Sequence, residues 1–261
     1  MTSSTSSSRS SADLRVLRKS LDRLYKDYGR ESLYSDPLQF PRRYKSRKDR
    51  EASALISAFF AYGRVGNIIS HLEEVHAFLG KSPHAGLLEG REWKGGAYRF
   101  QTRRDICWFL LGLGSIYADY GTIENLFGSV DGDNEEKLAG TAREIRKRFR
   151  PLTRGLDHLV AMPSGKSPAK RWRLFLRWVV REDDGLDLGL WKVLKPCELI
   201  VPLDTHMGKM AEKLKFTKRK SRDLRFALDV TEKLREICPE DPLKYDFALV
   251  RPGILDNYFK K

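Results

Sequence analysis

Two lysines and one aspartate stand out by residue type and spacing. Lys166 and Lys170 fall in the short segment MPSGKSPAK (162–170), and Asp204 falls in VPLDTHMGKMAEKL (201–214). A lysine amine that has given up its proton attacks an electrophilic carbon and forms a Schiff base. A carboxylate beside it stabilises positive charge that develops at the reacting centre and takes part in proton transfer. Ser167 and Pro168 read as the N-cap and first residue of a helix, which places Lys170 in the first helical turn. There, neighbouring cations and the helix N-terminus both disfavour a further ammonium charge. Lys166, in the turn itself, is the alternate nucleophile. Asp204 follows the helix-breaking Pro202 and stands where a new helix begins, so it has a plain role as a cap and a chemical one as the carboxylate facing the amine.

The elements around these residues must hold them together. A short helix around 156–161, the compact MPSGKS turn and a helix over 168–182 outline a helix-hairpin-helix. The backbone N–H groups of Ser164, Gly165 and Ser167 would open toward an anion at a helix start. On a helical wheel, Trp172, Phe175, Leu176 and Val179 of the second helix gather on one side, and Lys170, Arg173, Arg177 and Arg181 on the other. The apolar side is core. The cationic side is either a solvated face or a surface turned to a polyanion.

Farther out the chain reads as all-α, since no run keeps the two-residue alternation of a half-buried strand. Residues 1–12, MTSSTSSSRSSA, have the composition of a disordered tail. Residues 13–261 read as a single domain of two interleaved helical halves, with a cleft near 162–206. Leucines and tyrosines at 14, 17, 21, 24 and 28 line one face of a first helix. Asp49 is placed to cap a second, and a third runs over 66–79. Thr102 caps an apolar helix, and DGDNEE, from Asp131, is a turn opening another. The last helices fall at 205–214, 221–236 and 242–250, with Ser221 and Asp241 as caps. YSDPLQFPRRY (34–44) is a proline-pinned loop whose Arg42 and Arg43 are surface cations.

Composition narrows the function class. A formal charge of +14 and a pI near 9.7 favour a polyanionic partner. No stretch has the length of a membrane span and no signal-peptide profile opens the chain, so an intracellular protein of the cytoplasm and nucleoid is expected. GKS (165–167) is no phosphate-binding loop, because the first glycine of that motif would fall at Val160 and no strand precedes it. HLEEVH is no zinc helix, because His71 and His76 are five residues apart rather than four. DGDNEE does not complete the ligand order of a calcium loop. Cys107, Cys197 and Cys238 are too scattered for a metal site or a disulfide framework.

IVPLDTHMGKMAEKL resembles the VDTH segment of the helix-hairpin-helix-GPD DNA glycosylases, the endonuclease III superfamily, in which the aspartate is catalytic. DREASALISAFFAYGRVGNIISHLEEV is similar to that superfamily's early helix-loop-helix, whose loop wedges into the gap left by an extruded base, and DFALVRPG to its closing helix. YSDPLQFPRRY, AFFAYGRVGNI, PSGKSPAKR, LFLRWVVR, VPLDTH and DPLKYDFALVRPGI together resemble a bacterial domain-of-unknown-function family, number 2400, over almost the whole chain after the tail. The superfamily hairpin carries its lysine immediately after the turn, whereas two lysines compete here.

The resemblance implies a glycosylase, bifunctional as glycosylase and AP lyase, acting as a monomer on double-stranded DNA that carries a damaged base, with an oxidised purine such as 8-oxoguanine preferred. In it Lys170 would attack C1′ of the deoxyribose, with Lys166 as alternate, and Asp204 would stabilise the oxocarbenium-like charge. Ser164, Gly165, Ser167, Arg171, Arg173 and His206 would contact DNA, and Arg64 would enter the emptied stack. Neither metal nor cofactor is implied, and three scattered cysteines cannot build the superfamily's iron–sulfur cluster. The alternative is a non-catalytic DNA or RNA binder on the same scaffold.

Overall fold

A computed structural model of the 261-residue chain describes residues 11–28 and 30–251. The fold is all-α, and among the described residues the nearest approach to a strand is a single antiparallel bridge between Tyr98 and Gln101. Eleven helices are named here in chain order: α1 (Ser11–Asp27), α2 (Arg47–Phe59), α3 (Val65–Leu79), α4 (Pro83–Leu88), α5 (Arg103–Tyr120), α6 (Ile123–Ser129), α7 (Asn134–Lys147), α8 (Arg154–Leu159), α9 (Lys170–Val180), α10 (Thr205–Lys213) and α11 (Leu224–Ile237). A further helical run covers 246–251. No single described helix is long and apolar enough to cross a membrane. Most of the predicted tail, 1–10, lies outside the described residues, and its last two residues begin α1.

The centre is α2, buried from Glu51 to Phe59. Its sequence, EASALISAFF, sets small and apolar residues on nearly every side, which is the pattern of a helix packed all round. Even its carboxylates serve the interior. Asp49 was expected to cap α2, but that helix starts two residues earlier, after Ser46. Asp49 instead accepts hydrogen bonds from Ser82 Oγ (2.6 Å) and His84 N (3.0 Å), fastening the start of α4. Glu51, 2% exposed, accepts from the N–H groups of Ile123 and Glu124 and from Trp191 Nε1, which satisfies the first turn of α6. A Cβ at Gly114 of α5 would sit 2.3 Å from Leu87 O, so glycine there is what lets α4 cross α5 closely.

Local capping chemistry decides several boundaries as expected. Thr102 and Asp105 form a reciprocal capping box at the start of α5, and Asp133 and Glu136 form another at α7. The DGDNEE segment is thus a turn and a helix start. His71 and His76 are both buried, His76 against Ser53 Oγ and Phe40, His71 stacked 4.3 Å from Tyr98. Burial pushes both imidazoles down to about 4, so they stay neutral at physiological pH.

Besides Asp49, three caps differ from expectation. The N-cap of α9 is Ala169, in a left-handed conformation (φ 48°), rather than Ser167; the Ser167 hydroxyl accepts from Ala169 N inside the turn. Asp223 rather than Ser221 caps α11. Residues 242–245 form a turn instead of a helical start, and the Asp241 carboxylate reaches Arg181 at 2.8–3.0 Å. A buried guanidinium has a stronger demand for a carboxylate than an exposed helix end has.

Candidate active site

Lys170 is the first residue of α9 and Asp204 is the N-cap of α10, and the two meet. Lys170 Nζ lies 3.9 Å from Asp204 Oδ2, with the two side chains 37% and 20% exposed. The two oxygens of the carboxylate divide the work. Oδ1 accepts the Met207 N–H at 2.7 Å, as an N-cap should, while Oδ2 faces the amine. Cap and charge partner are therefore one side chain.

Packing fixes both ends of this pair. Trp172 anchors α9 by stacking edge-on to Phe59 at 4.7 Å and donating Nε1–H to Ala161 O at 3.0 Å. Val201 N, ahead of α10, donates to Thr231 Oγ1 at 3.0 Å, and Met207 and Ala211 are buried. The hairpin joins the same body through Leu224 N, which donates to Lys166 O at 2.9 Å.

The pair opens on a cavity of about 880 Å³, within the size range of ligand sites. Its walls come from five distant parts of the sequence: Asp36 and Pro37, Tyr62 to Gly66, Leu174 and Trp178 of α9, Pro202, Thr205 and His206 beside Asp204, and Asp246, Phe247 and Arg251 near the C-terminus. Arg64 and half-buried His206, both nominated as DNA contacts, are among these lining residues. Arg64 sits in an exposed corner between α2 and α3, where Gly63 takes φ 110°. Asp36 and Arg251 bind one wall to another: Arg251 Nη1 reaches Asp36 Oδ2 at 3.3 Å and its Nη2 donates to Ser35 Oγ.

Lys166 is exposed with Ser164 and Gly165 at the tip of the turn and does not line the cavity. Gly165 takes φ 62°, which a side chain would resist. Of the two candidate amines, the structure brings only Lys170 to Asp204.

The cationic stripe of α9 is where expectation and structure part. Arg173 is 4% exposed and bidentate to Glu135 at 2.7 and 2.5 Å. Arg177 bridges Asp187 and Asp246, and Arg181 holds Asp184, Asp187 and Asp241. Arg171 donates to the carbonyls of His158 and Phe59 and lies 5.1 Å over the Tyr62 ring; burial depresses its basicity. Arg173, Arg177 and Arg181 are therefore committed inward, where a solvated or DNA-facing side was expected, whereas Arg171 is partly exposed with its guanidinium on two backbone carbonyls. Of the stripe, Lys170 and Arg177 line the cavity, and Lys170 alone is partly exposed.

Asp246 was not singled out by sequence. It is buried at the cavity wall, and burial pushes its carboxyl up to about 6 against the opposing pull of Arg177, with Asp204 and Asp187 adding to the rise. A carboxyl raised above its ordinary value favours folding at low pH, and that contribution is lost as pH rises from about 4 toward 6. Asp246→Asn removes the loss. The melting temperature of the variant relative to wild type is therefore expected to rise between pH 4.5 and pH 7, and a flat or falling difference would contradict this placement of the proton.

No curated protein and no solved structure matches the chain. One family model does, described as "Protein of unknown function (DUF2400)", over residues 36–255, which takes in both Asp36 and Asp246 at the cavity's far wall as well as Lys170 and Asp204. The chain belongs to the DUF2400 family.

Proposed function

We propose that this protein is a DNA glycosylase with lyase activity, of the helix-hairpin-helix-GPD kind. The observation that carries the reading is the placement of Lys170 Nζ 3.9 Å from Asp204 Oδ2 on the wall of a cavity large enough for an extruded base. In this reading α8, the 160–169 turn and α9 are the helix-hairpin-helix. The exposed turn residues Ser164 and Gly165 receive a phosphate together with Ser167, whose N–H also bonds Ser164 O at 3.3 Å, and Arg64 fills the space the base leaves. The net charge of +14 supplies sequence-independent affinity for duplex DNA.

The chemistry follows from the pair. The neutral Lys170 amine attacks C1′ as the glycosidic bond breaks, and the base departs with the bonding electrons and acquires a proton. Asp204 takes the proton shed by the lysine nitrogen and offsets the positive charge on the sugar. Opening of the sugar ring leaves a Schiff base between C1′ and Nζ, from which elimination of the 3′ phosphate cuts the strand. An oxidised purine such as 8-oxoguanine is the proposed substrate, and the protein acts as a monomer at the nucleoid.

Borohydride trapping on duplexes carrying single lesions tests the assignment. Wild type and Lys166→Ala are expected to give a covalent protein–DNA adduct, and Lys170→Ala none. Base release without an adduct would indicate a water nucleophile and a glycosylase lacking lyase activity. Salt-sensitive binding without base release would indicate a non-catalytic binder on the same scaffold.

A further inference from the structure

Outside the cavity, an aromatic and cationic cluster occupies its rim. Arg99 and Phe100 form the tip of a two-residue turn closed by the Tyr98–Gln101 bridge, whose two backbone hydrogen bonds measure 2.9 and 2.8 Å. Both tip residues are exposed, Phe100 by 60%. The Phe100 ring lies nearly parallel to that of Tyr62, 7° apart with centroids at 6.4 Å, and His158 stands edge-on to both, at 4.7 and 5.1 Å. The Arg99 guanidinium lies over both rings, 5.5 Å from Phe100 and 5.8 Å from Tyr62, and its side chain fills the space a Cβ at Gly63 would need.

The cluster is held rigidly. The Tyr62 hydroxyl donates to Gln101 Oε1, Tyr98 Oη donates to Tyr62 O at 2.6 Å, and buried Gln101 donates to Gly155 O at 2.8 Å. Burial, with Arg171 and Arg99 nearby, depresses the His158 imidazole below its ordinary range. Tyr62 belongs to two surfaces at once, since it also lines the cavity beside Arg64. A large exposed aromatic flanked by guanidinium groups is otherwise an exposed apolar surface without a purpose, whereas stacking plus positive charge is what an unpaired base on a phosphate backbone takes.

We infer that Tyr62, Arg99, Phe100 and His158 form a second base-binding site, a stacking platform on the cavity rim for an unpaired nucleobase of the bound DNA. It rests on the reading of the protein as a DNA-binding enzyme and adds a contact that the Lys170–Asp204 chemistry does not use. The platform receives a base that has lost its partner, so it favours duplexes with one unpaired base over fully paired ones and discriminates little among base types.

The full-length protein is titrated into two short end-labelled duplexes, one fully paired and one with 2-aminopurine opposite a tetrahydrofuran abasic analogue, reading anisotropy for affinity and 2-aminopurine emission for stacking. Wild type is expected to bind the second duplex about five- to a hundredfold more tightly, the range base–aromatic stacking supplies, and to quench its emission. Phe100→Ala abolishes both effects while its affinity for the paired duplex stays within about twofold, and Phe100→Trp retains them. An unchanged preference in Phe100→Ala, or no preference in wild type, overturns the platform alone. Failure of wild type to bind either duplex overturns the DNA reading with it.

Discussion

Asp204→Asn is expected to slow base release about 10²- to 10⁴-fold while leaving the fold as stable as the wild type. The separation is possible because the two carboxylate oxygens have different partners: Oδ1 caps α10 through Met207 N, and Oδ2 faces Lys170. Asparagine is as good an N-cap as aspartate, so its amide oxygen keeps the first bond. What it cannot do is hold negative charge beside the amine or take a proton from it. Asp204→Ala loses both functions and adds a stability cost of about 1 kcal/mol typical of a deleted cap. Single-turnover release from a lesion duplex at saturating enzyme, paired with thermal melts of both variants, reads the two effects separately. Release by Asp204→Asn within about threefold of wild type would reduce Asp204 to a helix cap and sink the catalytic assignment, since charge is all that variant removes.

The division of labour at Asp204 also shows which parts of the site can be read from sequence. Capping is local: a carboxylate three residues ahead of the amide it receives, after a proline, is visible in VPLDTHM, and so are the capping boxes at Thr102 and Asp133. Lys170 is visible for the same reason, although its helix begins after a left-handed Ala169 that no propensity would nominate. The arginine stripe of α9 is different. Arg173, Arg177 and Arg181 repeat at helical spacing like any solvated face, and what makes them buried is carboxylates elsewhere: Glu135 on α7, Asp187 after α9, Asp241 and Asp246 near the C-terminus. Nothing in the stripe's own spacing reports partners that arrive through tertiary structure. The cavity is hidden for the same reason, since Asp36 and Arg251 become neighbours only when both chain ends fold onto α9. One signal was available: a helix whose other side carries Trp172, Phe175, Leu176 and Val179 has little surface left to give to water, and its arginines then need counterions inside.

Those counterions set up the largest stability effect. Arg177→Ala is expected to destabilise the protein by about 3–5 kcal/mol, the cost of removing one member of a buried ion pair. The Arg177 side chain is 3% exposed and bridges Asp187, 0% exposed, and Asp246, 4% exposed. Burial alone would lower its basicity, but Asp187 and Asp246 outweigh that and raise it, so the guanidinium is charged at any ordinary pH. Among the described residues, truncation leaves Asp187 with Arg181 alone and Asp246 with no cation among its hydrogen-bonded partners. Asp246 must then take up a proton or stand ionised against Asp204 and Asp187. At this chain length the loss corresponds to a fall in melting temperature of roughly 10 °C. Charge imbalance and lost packing are told apart by the cycle of Arg177→Met, Asp246→Asn and the double variant. Methionine keeps most of the side chain's bulk, and if the unpaired carboxylate is the cause, Asp246→Asn recovers part of the Arg177→Met loss. A cycle with no coupling, or an Arg177→Ala protein that melts within a degree or two of wild type, would mean that the bridge does not hold the C-terminal wall of the cavity against α9.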